Sequence, residues 1–236
     1  RTVLNATDTL IHSCPIVSDT MMLPTHALAG MALALPVAFV APELFGVAFL
    51  AGLLGGSFPD FDMYAGHRKT LHYPVYYTVV AIPAVALAVA LPEVWTVFGA
   101  VFLAGAALHS LVDVLGGGLE LRPWEGTSDR AVYDHYRERW IAPRQWISYD
   151  GSPGDLLCSY ALAVPLLHAV GGVFQWAVIA ALGVASVYAA VRRYLPRLAV
   201  VVLEVAGPWL PAAVLSALPS RYREAQPEPV GVSASD

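Results

Sequence analysis

The chain has 236 residues, 57% of them hydrophobic and 13% charged, with a mean hydropathy of +0.60 and a formal net charge of -5. Soluble domains carry about 25% charged residues, so this composition argues against an ordinary soluble domain and for an integral-membrane one. The basic residues are dispersed among acids and form no nucleic-acid surface, and Cys14 and Cys158 lie too far apart to suggest a disulfide framework or zinc knuckle.

The first twenty residues, "RTVLNATDTLIHSCPIVSDT", are polar and lack the basic segment and long apolar run of a secretory signal. They are expected to be a leader or non-native extension, with the natural start at Met21 or Met22. An integral-membrane domain over 21–217 follows, then a disordered tail over 218–236. A helix needs about 20 apolar residues to cross a bilayer. Spans are expected at 26–41, 44–58, 75–92, 95–115, 156–172 and 174–191, with a weaker seventh segment at 198–217 interrupted by Glu204, Pro208 and Pro211. The fold class is therefore an all-α polytopic transmembrane bundle of about six spans. The turns at 41–43, 91–93 and 171–172 hold no Lys or Arg, whereas Arg68, Lys69, the arginines of the 116–155 loop, Arg192, Arg193 and Arg197 fall on the opposite side. The positive-inside rule makes that side cytoplasmic, which implies a multi-pass protein of the inner (cytoplasmic) membrane.

The ionisable residues collect on the same side. His26 begins the first span, and Asp60 and Asp62 leave the second through a turn at Pro59. His67 and His72 lead into the third, and His109 and Asp113 end the fourth. Four residues apart on a helix, His109 and Asp113 share a face. Each feature has a simpler reading: a hydrogen-bonded helix pair, an Asp-Pro turn, a basic anchor. Their joint arrival at one membrane depth points instead to a functional site, because ionisable groups in spans are costly. Imidazole and carboxylate without thiolate suit a catalytic zinc, manganese or iron ion. All seven residues are candidate ligands, more than one tetrahedral ion takes, so one or two divalent ions are expected, zinc first. Such centres polarise a phosphoryl or carbonyl oxygen.

"THALAG", "GGSFPDFDMYAGHRKTLHYPVYY" and "LHSLVDVL" resemble, in that order, motifs of the LexA-binding, inner membrane-associated hydrolases, also described as predicted membrane-bound metal-dependent hydrolases. The resemblance matches His26 with Gly30, Pro59 with Asp60 and Asp62, His67 with His72, and His109 with Asp113, over residues 24–120. Leu71 stands where the family commonly has Thr. The family is distantly similar to zinc-dependent phospholipase C and fungal single-strand nucleases, although their His-Xxx-Xxx-Xxx-Glu pair is absent here. The resemblance implies a metal-dependent phosphoesterase. Asp60 and Asp62 would then be catalytic as well as ligands, and Arg68 would steady the developing anion. A site at headgroup depth implies membrane lipids as partners and a lipid or other amphiphilic phosphoester as substrate. The LexA-binding label adds a regulatory protein partner.

The 116–155 loop holds Trp124, Trp140 and Trp146, five arginines and seven acids, as expected of a surface on lipid headgroups or of a lid over the site. Asp155 is expected at a helix N-terminus. His135 is a further, weaker ligand candidate. Two other functions fit some of the same residues. A transporter of protons or metal ions would spread polar groups through the bilayer depth. A membrane-anchored regulatory binding protein would use the loop as its docking surface.

Overall fold

The computed structural model describes residues 21–63 and 66–211; the expected leader and disordered tail lie outside them. The chain is mostly helical: α1 (Leu23–Ala32), α2 (Leu35–Val40), α3 (Phe45–Ser57), α4 (Pro74–Ala90), α5 (Val94–Val112), α6 (Pro153–Ala169), α7 (Gly172–Val191) and α8 (Leu195–Ala206). A short antiparallel hairpin, β1 (Val132–Asp134) with β2 (Arg139–Ile141), pairs Val132 with Ile141.

Among the described residues, four helical segments are long and apolar enough to cross a membrane: Leu23–Val40, Pro42–Asp62, Val94–Leu115 and Gly172–Val191. The first is not one continuous helix. It breaks at Leu33–Ala34, ahead of Pro36, which is tolerated in the first turn of α2. α4 and α6 have 17 residues each, the short end of the bilayer-crossing range. Much of the outer surface of these helices is apolar, as it would be against lipid. α7 buries Val178 and Ala185 but exposes Val173, Trp176, Ile179, Val184 and Val187. Exposed Trp95 and Trp176 sit beside turns that hold no Lys or Arg, a place where aromatic rings would favour a membrane interface.

Lipid tails give helices no hydrophobic reason to associate, so close packing of small residues does that work. At the centre, α1, α3 and α5 meet through glycines. A Cβ on Gly52 would lie 2.1 Å from the Gly30 carbonyl oxygen, and one on Gly56 would lie 2.4 Å from the His26 carbonyl oxygen. On the other side of α3, a Cβ on Gly55 would lie 2.2 Å from the Phe102 carbonyl oxygen. These contacts draw the backbones of His26, Gly56 and the α5 helix together at the level where His109 projects. This close packing thus also positions the polar cluster.

Candidate metal centre

Asp60, His72, His109 and Asp113 converge, each offering one ligand atom, with those atoms within 4.8 Å of one another. Such a cluster could hold a metal ion. His72 Nε2 lies 3.2 Å from His109 Nε2 and 3.1 Å from Asp113 Oδ2. His109 Nε2 lies 3.4 Å from Asp60 Oδ1 and 3.5 Å from Asp113 Oδ2. His72, His109 and Asp113 are buried, and Asp60 retains some exposure.

The tautomers follow from the other ring nitrogens. His109 Nδ1 is 2.6 Å from the Gly56 carbonyl oxygen, which can only accept, so Nδ1 donates. His72 Nδ1 donates to Asp62 Oδ2 at 3.0 Å. In the neutral rings both Nε2 atoms therefore carry lone pairs, and they point at each other and at two carboxylates. Four electron-rich atoms facing one point fit a cation. His26 extends the pattern. Its ring stacks on His109 with centroids 3.8 Å apart, and its Nε2 sits 3.0 Å from Asp113 Oδ1. Both atoms are buried, and each is the other's nearest charged partner.

Asp62 stands one step back. Its carboxylate accepts from His67 Nδ1 and His72 Nδ1 at 3.0 Å each, from Leu71 N at 3.0 Å and from Arg68 N at 3.2 Å. With these four bonds it fixes the tautomer and orientation of His72, as outer carboxylates do for metal-bound imidazoles. Leu71 contributes only its backbone N–H.

His67 lies beyond Asp62, partly exposed. Burial pushes its imidazole below the ordinary value, against the pull of Asp62. Burial also works against protonating His72, but the hydrogen bonds of Asp113 and Asp62 outweigh it and hold that ring above its ordinary value. Positive charge is thus favoured at His72 and disfavoured at His67. Arg68 is buried with φ at 61°, a left-handed conformation uncommon for a non-glycine residue. Its Nη1 donates to Gly117 O at 2.9 Å, and its Nε lies 3.8 Å from Asp113 Oδ2.

Two adjoining cavities of ≈ 290 and ≈ 270 Å³ open beside the cluster, sharing Met63, His67, Arg68, Asp150 and Tyr188. Asp60 lines the second of them, so of the four converging residues it is the one that reaches the cleft. The long loop folds back here. Trp146 N donates to Leu115 O at 2.8 Å, and Tyr133 N donates to Arg68 O at 2.9 Å. His135 points elsewhere: its Nε2 donates to Lys69 O at 2.6 Å. Asp155 is the third residue of α6, behind the cap Ser152, and its carboxylate holds Thr25 Oγ1 at 2.6 Å and Met22 N at 2.7 Å. It anchors the start of α1, one residue from His26.

Two contributions were not read from the sequence. The Gly56 carbonyl that orients His109 is a backbone group, although the Gly-Xxx-Xxx-Xxx-Gly spacing of Gly52 and Gly56 is a packing signal. The Thr25–Asp155 link joins residues 130 apart in the chain, with no local pattern to reveal it. No protein-family model, curated protein or solved structure matches the chain.

Proposed function

We propose that the protein is a membrane-bound, metal-dependent hydrolase acting on a phosphoester at the cytoplasmic face of the inner membrane. In this reading the chain crosses the bilayer six times, with α4 and α6 as short spans, and it belongs with the LexA-binding, membrane-associated hydrolases that its motifs resemble. The single observation that carries the proposal is the convergence of the Nε2 atoms of His72 and His109 between two carboxylates at the edge of a cleft.

His72, His109, Asp60 and Asp113 would hold the ion, and the mixed nitrogen and oxygen donor set suits zinc. Asp113 turns one oxygen to His72 and His109 and the other to His26. His26 and the second oxygen of Asp113 are the residues that would hold a second ion, if two bind. A bound divalent ion polarises the phosphoryl oxygen and lowers the pKa of water. The chain's own residues do the rest. Asp60, at the cleft, takes up a proton as general base. Arg68, which lines the cleft beside Asp113, would steady the negative charge that develops on the phosphoryl group. Asp62 keeps His72 in the binding tautomer, and the 116–155 loop limits water. A lipid or other amphiphilic phosphoester suits a cleft at the mouth of the membrane helices.

Elemental analysis of the purified protein, followed by phosphodiester and phospholipid substrates with and without chelator, tests the reading. Stoichiometric transition metal and chelator-sensitive hydrolysis lost in His109→Ala are expected. Protein without metal, or hydrolysis unchanged in His109→Ala and Asp60→Ala, overturns it. Metal flux into proteoliposomes without hydrolysis would favour a transporter instead.

A further inference from the structure

Helix α8 is too short to cross a bilayer. Its 12 residues span roughly 18 Å at about 1.5 Å per residue, against about 30 Å of hydrocarbon. It nevertheless exposes Leu198, Val201, Val202 and Val205 by 51–69% each, at spacings that place them on one helical face. Pro196 and Leu203, on the opposite face, are buried against the rest of the protein. Exposed Tyr194 and Trp209 bracket the stripe.

Where the stripe begins, exposed Arg193 and Arg197 join Arg122 of the long loop around a cavity of ≈ 350 Å³ whose aromatic walls are Trp124 and Tyr194. One carboxylate, Glu125, lines it and pairs with Arg122 at 3.3 Å. Three arginines against one glutamate leave an excess of positive charge. Arg193 is held in place by Tyr149, whose hydroxyl accepts from its Nε at 2.7 Å, and by the face of Trp124. Only residues 192–194 separate α7 from α8, so the cavity lies at the end of a membrane-length helix.

We propose that this cavity docks the headgroup of an anionic phospholipid, with the acyl chains lying along the apolar stripe of α8. The arginines match a phosphate, and Trp and Tyr suit headgroup depth. Basic pockets beside membrane helices take lipid headgroups. An acidic protein or a nucleic acid would account for the arginines but leave the stripe in water. The site is separate from the metal centre, although Pro196 lines both this cavity and the cleft. It does not depend on what the metal centre does.

Native mass spectrometry of the full chain in mild detergent, titrated with phosphatidylglycerol or phosphatidylcholine of the same acyl chains, tests the proposal. Preferential retention of phosphatidylglycerol is expected, the preference falling roughly fivefold for each arginine removed in R193Q and R197Q. R139Q, on the exposed hairpin strand and away from the cavity, should keep it. Unaltered thermal unfolding shows that a variant is folded; if R193Q or R197Q unfolds, R122Q on the exposed loop gives the same readout. Equal retention of the two lipids overturns the proposal, as does full preference in the arginine variants. Soluble glycerophosphate binding as tightly as the lipid also overturns it, because the stripe would then contribute nothing.

Discussion

His72 Nε2 and His109 Nε2 face each other at 3.2 Å while both Nδ1 atoms are already donating, one to Asp62 and one to Gly56. Two lone pairs held at that distance repel, and Asp60 and Asp113 beside them add further negative charge. Protonating one ring relieves part of this; a divalent cation relieves all of it. Metal bound to the folded state alone also stabilises it, by about 2.7 kcal/mol at a hundredfold excess over Kd. Chelator should therefore lower the thermal unfolding midpoint of the wild type. In His109→Ala, which lacks a converging ligand, chelator should shift it little. Differential scanning fluorimetry in detergent, with and without added zinc, reads both.

Asp62 and Asp113 are both buried aspartates on the same cluster, and their replacement should separate them. Asp113 faces three imidazoles, whereas Asp62 holds His72 from behind. Asp113→Asn should abolish stoichiometric metal. Asp62→Asn should lower affinity about 10–100-fold, the usual effect of an outer partner, and recover full stoichiometry at high metal. Equal loss in both variants would place Asp62 among the ligands.

Part of this arrangement is legible in the sequence. His109 and Asp113 are four apart on a helix, and the other ionisable residues fall on the same side of the spans, so convergence follows from period and topology. The different duties of Asp60 and Asp62 do not. They lie two apart in a 3₁₀ turn, Phe58–Asp62, where three residues complete a turn. One therefore turns to the cleft and the other to His72, but reading this needs the turn type, which the Pro59 motif alone leaves open. The break in the first span is signalled by Pro36, yet the apolar run continues through it and reads as one helix. The hairpin at 132–141 is hidden by its shortness and by the charged residues around it.

Gly56 should be intolerant of the smallest addition. A Cβ there would lie 2.4 Å from His26 O and 3.2 Å from Gly30 Cα, atoms of packed backbone that cannot move aside. Gly56→Ala should cost about 1–3 kcal/mol and, by moving His26 and the carbonyl that holds His109, weaken metal binding as well. Gly99 and Gly183 have nothing within 4 Å of an added Cβ. Alanine at either helical position should be neutral or stabilising by up to about 1 kcal/mol. Thermal unfolding of the three variants checks the contrast.

Asp134 gives the loop a pH dependence of known sign. Burial opposes its ionisation, but the N–H and guanidinium of Arg137 and the N–H of Tyr136 outweigh it and hold the carboxyl below its ordinary value. A depressed folded value means that the stabilisation is complete above the ordinary carboxylate value and is lost as pH falls through the lower one. Amide exchange at Tyr136 and Arg137, corrected for intrinsic rates, should stay slow down to that region and quicken below it. Asp134→Asn should remove the pH step.

The Thr25–Asp155 contact ties α1 to α6 and so sets where His26 begins. Asp155 accepts from Thr25 Oγ1, Met22 N and Gly151 N at 2.6, 2.7 and 2.9 Å, and Ser159 Oγ lies 2.7 Å from the same threonine hydroxyl. Asp155→Ala leaves buried donors without a partner, at about 1–3 kcal/mol each. Thr25→Val removes one donor while keeping the shape and should cost less. Because both act on one contact, the double variant should be less destabilised than the sum, by a coupling of roughly 0.5–3 kcal/mol. A double-mutant cycle on unfolding free energies measures that coupling, and strict additivity would show that the two side chains act independently.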